Sequence, residues 1–399
     1  MTVPPLRATE RLYYADSYQR VFDARVLDVR PHDRGHAVVL DRTAFFPTSG
    51  GQPHDLGTLG DAGVIDVVDN EDTVVHVVAR PIEGDVRGEI DWPRRFDHMQ
   101  QHTGQHILSQ AALRSLDAQT ISVHFGAEVC TLDLDLSDLT PEMAARTEDL
   151  ANAVIFEDRP VPVHMVDESE LPTLGLRRPA KKRGQIRVVE VEEFDRSACG
   201  GTHVRRTGEI GLIKLRRWER YKGGVRVEFL CGWRALRDYR WKSTLVSDLA
   251  GSFTVKDREV AEAIGRLSGQ LKERERVIAD LRDRLFSSEA RGYLDGARGS
   301  PKIIADVLDR SPDEAGTLAG KIVSAESSVV VFGAARGRII IARSPSLDLD
   351  AAALLRRILE PRGGRGGGRP EFAQGALAAE ALREAVESAR VELRRMFDA

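Results

Sequence analysis

The segment "HMQQHTGQH" places His102 and His106 four residues apart, with His98 four residues before them. On a helix, residues i and i+4 share a face on successive turns, so either pair could aim two imidazoles at one ion. A matching half lies in "SACGGTHV", where Cys199 and His203 flank Gly200 and Gly201. Paired glycines spoil a helix interior, so this segment reads as a tight turn that folds both donors inward. Imidazoles combined with a thiolate suit zinc. The spacing leaves open whether His98/His102 or His102/His106 is the helical pair. A zinc peptidase helix would carry glutamate immediately after the first histidine. Thr103 occupies that place instead. Peptide hydrolysis is therefore not expected, and a more labile bond such as an ester fits better.

These donors must be positioned by folded elements. The chain has 399 residues, with 42% hydrophobic and 30% charged residues, too long for one core and of ordinary globular composition. The expected class is α+β. Residues 1–92 read as a β-rich, barrel-like domain, from runs such as "HAVVLDRTAFFP" and "DTVVHVVARPI" punctuated by "PTSGGQPHDLG". Residues 93–250 read as helices over a largely antiparallel sheet. "FDHMQQHTGQHILSQAALRSL" has helical periodicity, with Met99, Ile107, Leu108 and Ala111 near one face. "TPEMAARTEDLANAVIFED" is a second helix, capped by Thr140 with Pro141 in its first turn. Residues 251–295 carry Val260, Ile264, Leu267, Leu271, Ile278, Leu281 and Leu285 at heptad spacing, which predicts a helical or coiled-coil spacer. Residues 296–399 alternate helix and strand and read as a C-terminal α/β domain.

The net charge of −4 excludes a wholly basic nucleic-acid binder, so such binding needs local patches. Three cysteines, Cys130, Cys199 and Cys231, do not make a disulfide framework, and no apolar run is long enough for a signal peptide or a membrane span. The expectation is a cytoplasmic protein.

Together, "HMQQHTGQH" and "SACGGTHV" resemble the editing domain of alanyl-tRNA synthetase and its free-standing relatives, the alanyl-tRNA editing proteins. "AFFPTSGGQPHDLG" looks like the glycine-rich segment of the preceding domain. "GGRGGGRPEFAQGAL" is similar to a loop of the C-terminal domain shared with DHH-type phosphoesterases. The resemblance spans nearly the whole chain in the same order. It implies zinc held by His102, His106, Cys199 and His203. It also implies hydrolysis of the ester joining serine or glycine to the terminal adenosine of tRNA(Ala), with serine on threonine tRNA a weaker alternative. A non-catalytic, zinc-stabilised tRNA-binding module is the rival reading. The chain begins directly at the pre-editing domain, so no aminoacylation is expected, and it lacks a DHH motif, which disfavours a phosphoesterase.

Four protein ligands usually mark a structural zinc, whereas catalysis needs an open position. The sequence does not choose between polarisation and templating. In the family, the stretch matching "TISVHFG" lines the pocket. Alternation puts Ser122 and His124 on one face, so His124 is assigned a catalytic role and Ser122 a substrate contact. Asp195 is expected to orient a histidine ligand, and Thr103 to hydrogen-bond the substrate or its own helix. Gly200, Gly201 and Thr202 are expected to border the substrate. For tRNA, the basic runs supply Lys181, Lys182, Arg183, Arg216, Arg217 and Lys222, interleaved with Trp218 and Tyr221, since cations neutralise phosphate and aromatics stack on bases. Arg365 and Arg369, in the C-terminal glycine loop, are expected to grip the outer corner of the tRNA. The exposed heptad seam, or the C-terminal domain, could instead build a homodimer.

Overall fold

In the computed structural model, which describes residues 8–180 and 183–397, the fold is mixed α+β. Its contacts group into two units, residues 1–249 and 250–399. The first unit joins the two N-terminal segments that the sequence divides at residue 92.

Within that unit, six strands pair in the order Val21–His32, Gly35–Leu40, Thr73–Val78, Ala62–Asn70, Gly57–Leu59 and Asp85–Ile90. The last pairs with the first to close a barrel. Alternation along Asp85–Ile90 sends Val86, Gly88 and Ile90 inward and Asp85, Arg87 and Glu89 outward, as a strand with one buried face requires. Phe22, Leu40, Phe45, Leu59, Val67 and Val78 fill the interior.

The helix of the first histidine motif runs from Trp92 to Leu116, starting earlier than its periodicity suggests. Asp91 caps it by accepting the Arg94 N–H, and Pro93 sits in the first turn where a missing N–H is harmless. Every residue from His98 to Ser109 is buried. The helix therefore has no solvent face over this stretch, and its polar side chains need partners inside; His98 Nδ1 and Gln100 Oε1 have none among the described residues.

Arg95 anchors this helix to the barrel. Its guanidinium is fully buried, and its Nε donates to both Asp55 carboxylate oxygens at 2.9 Å. Further bonds run to the carbonyls of Ser17 and Ala44, while Asp55 accepts the Phe46 N–H. Removing one member would strand a buried charge, at a cost of about 3–5 kcal/mol.

Around the helix, a four-stranded antiparallel sheet runs in the order Ile213–Tyr221, Gly224–Cys231, Cys130–Leu134, Thr120–Phe125. The expected second helix occupies Pro141–Phe156, with Thr140 accepting the Met143 N–H. A three-stranded sheet, Val163–Asp167, Gln185–Val191 and Asp195–Ala198, leads into the second donor segment.

In the second unit, a 37-residue helix, Val260–Gly296, carries the predicted seam. Ile264, Leu267, Leu271, Ile278, Leu281 and Leu285 are 42–58% exposed, so the seam has no packed partner among the described residues. A five-stranded sheet follows, with Lys302–Val307 and Ser328–Ala334 parallel and the remaining pairs antiparallel. Arg365–Arg369 forms its edge strand, not the loop expected from the glycine run.

Among the described residues, no helix is long and apolar enough to cross a membrane.

Candidate metal centre

The two donor segments meet. One ligand atom from each of His102, His106, Cys199 and His203 lies within 4.8 Å of the others. His98 is not in this group, so the structure resolves the ambiguous pair in favour of His102 and His106. The Cys199 Sγ sits 3.3 Å from Nε2 of His102 and 3.3 Å from Nε2 of His203.

Each imidazole has its other nitrogen occupied. Gln52, from the glycine-rich loop of the barrel segment, puts Oε1 2.8 Å from Nδ1 of His102. The same oxygen accepts the Thr202 N–H at 3.1 Å, and Nε2 of Gln52 donates to Thr202 Oγ1 at 2.8 Å. Those two bonds fix which end of the amide is oxygen, so His102 must carry its proton on Nδ1. Asp195 Oδ2 lies 3.2 Å from Nδ1 of His106, and Arg177 and Ser197 hold the carboxylate in turn. Thr103 Oγ1 lies 3.1 Å from Nδ1 of His203 and accepts the Val204 N–H. All three rings are thereby set to turn Nε2 toward the sulfur, an arrangement typical of metal-ligating histidines.

The electrostatics differ from donor to donor: burial and the neighbouring His102 push His203 down to about 3, so that ring stays neutral. Burial alone would push the Cys199 thiol up, yet His102 and His203 hold it well below its ordinary value. Burial opposes charge on His106, but Asp195 and Cys199 outweigh it and raise its pKa to about 9. A thiolate beside three imidazoles matches the donor set that zinc takes.

Backbone economy explains the glycines. A β-carbon at Gly201 would overlap the His102 ring, so only glycine lets the Cys199–His203 segment pass this close. Arg187 holds that segment by donating to the carbonyls of Cys199 and Gly201, both at 2.8 Å. Sequence reasoning missed both Gln52 and Arg187. Their roles depend on contacts across 50 and 14 residues, which no local pattern encodes.

Several expected site residues lie elsewhere. Phe125 packs its ring 5.0 Å from His102. Strand alternation therefore turns His124 and Ser122 to the opposite face. Ser122 donates to Asp133, which is paired bidentately with Arg226, and His124 is exposed. Neither side chain therefore faces the four clustered donors. Thr103 is fully buried and bonded to His203 rather than presented to a substrate, and Thr202 is likewise buried against Gln52. Gly200 is exposed beside Tyr14.

The basic runs also change character. Arg216 pairs with Glu228 and Asp238, and Arg217 with Glu219 and Glu228, so much of their charge is internally balanced. Trp218 is partly buried and packs against the core. Lys222 sits over the Tyr221 ring at 5.1 Å. Arg183, Arg365 and Arg369 are exposed. Lys181 and Lys182 lie outside the described residues.

Comparison with known proteins decides the lineage. Residues 186–228 match the family described as the threonyl and alanyl tRNA synthetase second additional domain, and residues 299–394 match the DHHA1 domain. The alanyl-tRNA editing protein AlaX-L of Pyrococcus horikoshii is 30% identical over 397 residues, covering 93% of this chain and 95% of that protein. The chain belongs to the long-form alanyl-tRNA editing proteins. Within this family its four donors come from two segments almost a hundred residues apart in sequence, with the Gln52 loop closing over them. The alanine–tRNA ligases of Pyrococcus abyssi and Pyrobaculum neutrophilum are 32% and 35% identical and match 97% of this chain. The chain spans less than half their length, 44% and 45% respectively.

Proposed function

We propose that this protein is an aminoacyl-tRNA deacylase that cleaves serine or glycine from mischarged tRNA(Ala), with one zinc ion per chain. The observation that carries this reading is the convergence of His102, His106, Cys199 and His203, each ring oriented from behind by Gln52, Asp195 or Thr103. These four residues would hold the ion. Bound there, zinc would supply Lewis-acid polarisation or a template for the ester.

The chain's own residues supply the rest. Gln52, Asp195 and Thr103 fix the rings, so they act as positioning groups. Gly200, exposed next to Cys199, leaves open backbone at the rim where an aminoacyl group can approach. Sparing alanine requires polar groups that a serine hydroxyl satisfies and a methyl does not. Such sites discriminate by roughly ten-thousandfold or more. Residues 93–250 would carry this chemistry. Residues 296–399 would contact the tRNA body through the exposed edge strand bearing Arg365 and Arg369. Arg183 and Lys222 remain phosphate contacts, with Lys181 and Lys182 beside Arg183 in sequence. A cytoplasmic location accords with a tRNA substrate.

The matched family description names threonyl as well as alanyl synthetases, which supports testing serine on tRNA(Thr) as a second substrate. The deciding experiment incubates the zinc-loaded protein with Ser-, Gly- and Ala-tRNA(Ala) and with Ser-tRNA(Thr). Rapid loss of serine or glycine from tRNA(Ala), with Ala-tRNA(Ala) spared, is expected. Tight tRNA binding with only spontaneous decay of all four would replace this reading with the non-catalytic tRNA-binding module.

A further inference from the structure

A second feature of the first unit has no part in the metal centre. Between the start of the Trp92–Leu116 helix and the start of the Gly232–Phe253 helix lies a cavity of about 730 Å³. Its lining combines three aromatic rings, Trp92, Phe96 and Trp233, with three guanidinium groups, Arg94, Arg234 and Arg237. Trp92 is held from behind by Arg20, 4.0 Å from its ring, and lies 5.5 Å from Phe96, so it forms a fixed wall. Trp233 is 58% exposed, a large apolar surface left open to solvent. The lining's one carboxylate, Asp97, is neutralised by Arg234 through bonds of 2.9 and 3.0 Å. Arg237 has no ion-pair partner among the described residues, so the cavity keeps a net positive charge.

His98 supplies the independent observation. It lines the cavity, is only 5% exposed, and its Nδ1 has no hydrogen-bond partner among the described residues. A buried polar atom without a partner costs about 1–3 kcal/mol, so the arrangement lacks something polar. Aromatic walls, cations and one unpaired imidazole nitrogen together fit a nucleotide. A base stacks, its edge offers hydrogen-bonding groups, and its phosphate meets guanidinium.

The location narrows the source. His98 lies four residues, about 6 Å along the helix axis, before His102. Pro53, also in the lining, directly follows Gln52, which bonds His102. The cavity therefore shares a helix and a loop with the elements that carry His102 and Gln52.

We propose that this cavity seats a nucleobase from the single-stranded 3′ end of the RNA substrate, stacked against Trp233 and Trp92, with its phosphate at Arg94 and Arg237. The RNA source rests on the editing function proposed above; the base seat itself does not.

The test uses the full chain and a fluorescently labelled CCA trinucleotide RNA, with adenosine 5′-monophosphate as competitor, read by anisotropy. Saturable CCA binding is expected. It should weaken roughly ten- to hundredfold in Trp233→Ala, the range base stacking supplies, and recover in Trp233→Phe. In a deacylation assay, Trp233→Ala should raise KM for Ser-tRNA(Ala) with little change in kcat. Absence of CCA binding, or undiminished binding by Trp233→Ala, overturns the proposal. Adenosine monophosphate binding as tightly as CCA would overturn the strand-end assignment in favour of a free-nucleotide site. If the wild type binds CCA through Trp233 but cleaves no aminoacyl-tRNA, the hydrolase reading fails and the base seat stands.

Discussion

Gln52 and His102 are joined by a 2.8 Å bond between Oε1 and Nδ1, linking the glycine-rich loop of the barrel segment to the metal helix. The Thr202 N–H accepted by the same oxygen ties the second donor segment to that loop as well. One amide therefore sets the tautomer of one ligand and the path of the backbone beside two others.

Gln52→Ala tests this coupling. Partners behind metal ligands typically contribute about 10–100-fold to metal affinity, and a loss of that size is expected in zinc competition against a chelator. Far-UV circular dichroism should stay unchanged, because the barrel core does not include Gln52. An unaltered zinc affinity would show that His102 needs no support from the barrel loop.

His124→Ala should retain zinc and deacylate Ser-tRNA(Ala) within about twofold of the wild type, as expected for an exposed residue away from the site. This reverses the expectation from sequence. Single-turnover deacylation is the measurement, and a loss of two orders of magnitude would return His124 to the chemistry.

The contrast between His124 and the four clustered donors shows what could be read in advance. His102, His106, Cys199 and His203 announce themselves because metal chemistry imposes both residue type and spacing. The helix start is equally legible, since Asp91 and Pro93 are a cap and a first-turn proline, signals that apolar periodicity does not carry. Periodicity also fails where Met99, Ile107 and Leu108 share a helix with buried Gln100, Gln101, Thr103 and Gln105, because a helix buried on every side has no polar stripe. For His124 the alternation was correctly expected. Which face lies toward the four donors is set by Phe125 packing against His102, a contact between elements that no local pattern encodes. The basic runs misled for a similar reason: charge counted along "KLRRWERYKGGVR" ignores Glu228 on the paired strand and Asp238 on the next helix.

Gly104→Ala should destabilise the first unit even though alanine favours helix. A β-carbon at this position would overlap the Cys231 sulfur, and both residues are buried. Overpacking of this kind costs about 1–3 kcal/mol. Removing the sulfur should relieve it, so Gly104→Ala combined with Cys231→Ala is expected to melt higher than Gly104→Ala alone. If the two substitutions simply add in thermal melts, the helix-to-strand contact is not the constraint.

His76 gives the barrel a defined acid sensitivity. The ring is fully buried, with Nε2 2.8 Å from Thr43 Oγ1 and Nδ1 3.3 Å from the Val38 carbonyl. Burial pushes its pKa down from 6.5 to about 4, only partly offset by the Val38 bond. Between these values the unfolded chain takes up a proton that the folded barrel refuses. The stabilisation from keeping His76 neutral is thus complete above about pH 6.5, declines as pH falls, and is gone near pH 4. The full difference is on the order of 3 kcal/mol. Hydrogen exchange of the Gly35–Leu40 and Thr73–Val78 amides should report it as loss of protection across that window. His76→Gln lowers the starting stability but removes the titrating group, so its exchange profile should flatten relative to the wild type. Parallel profiles for the two proteins would place the acid sensitivity of the barrel elsewhere.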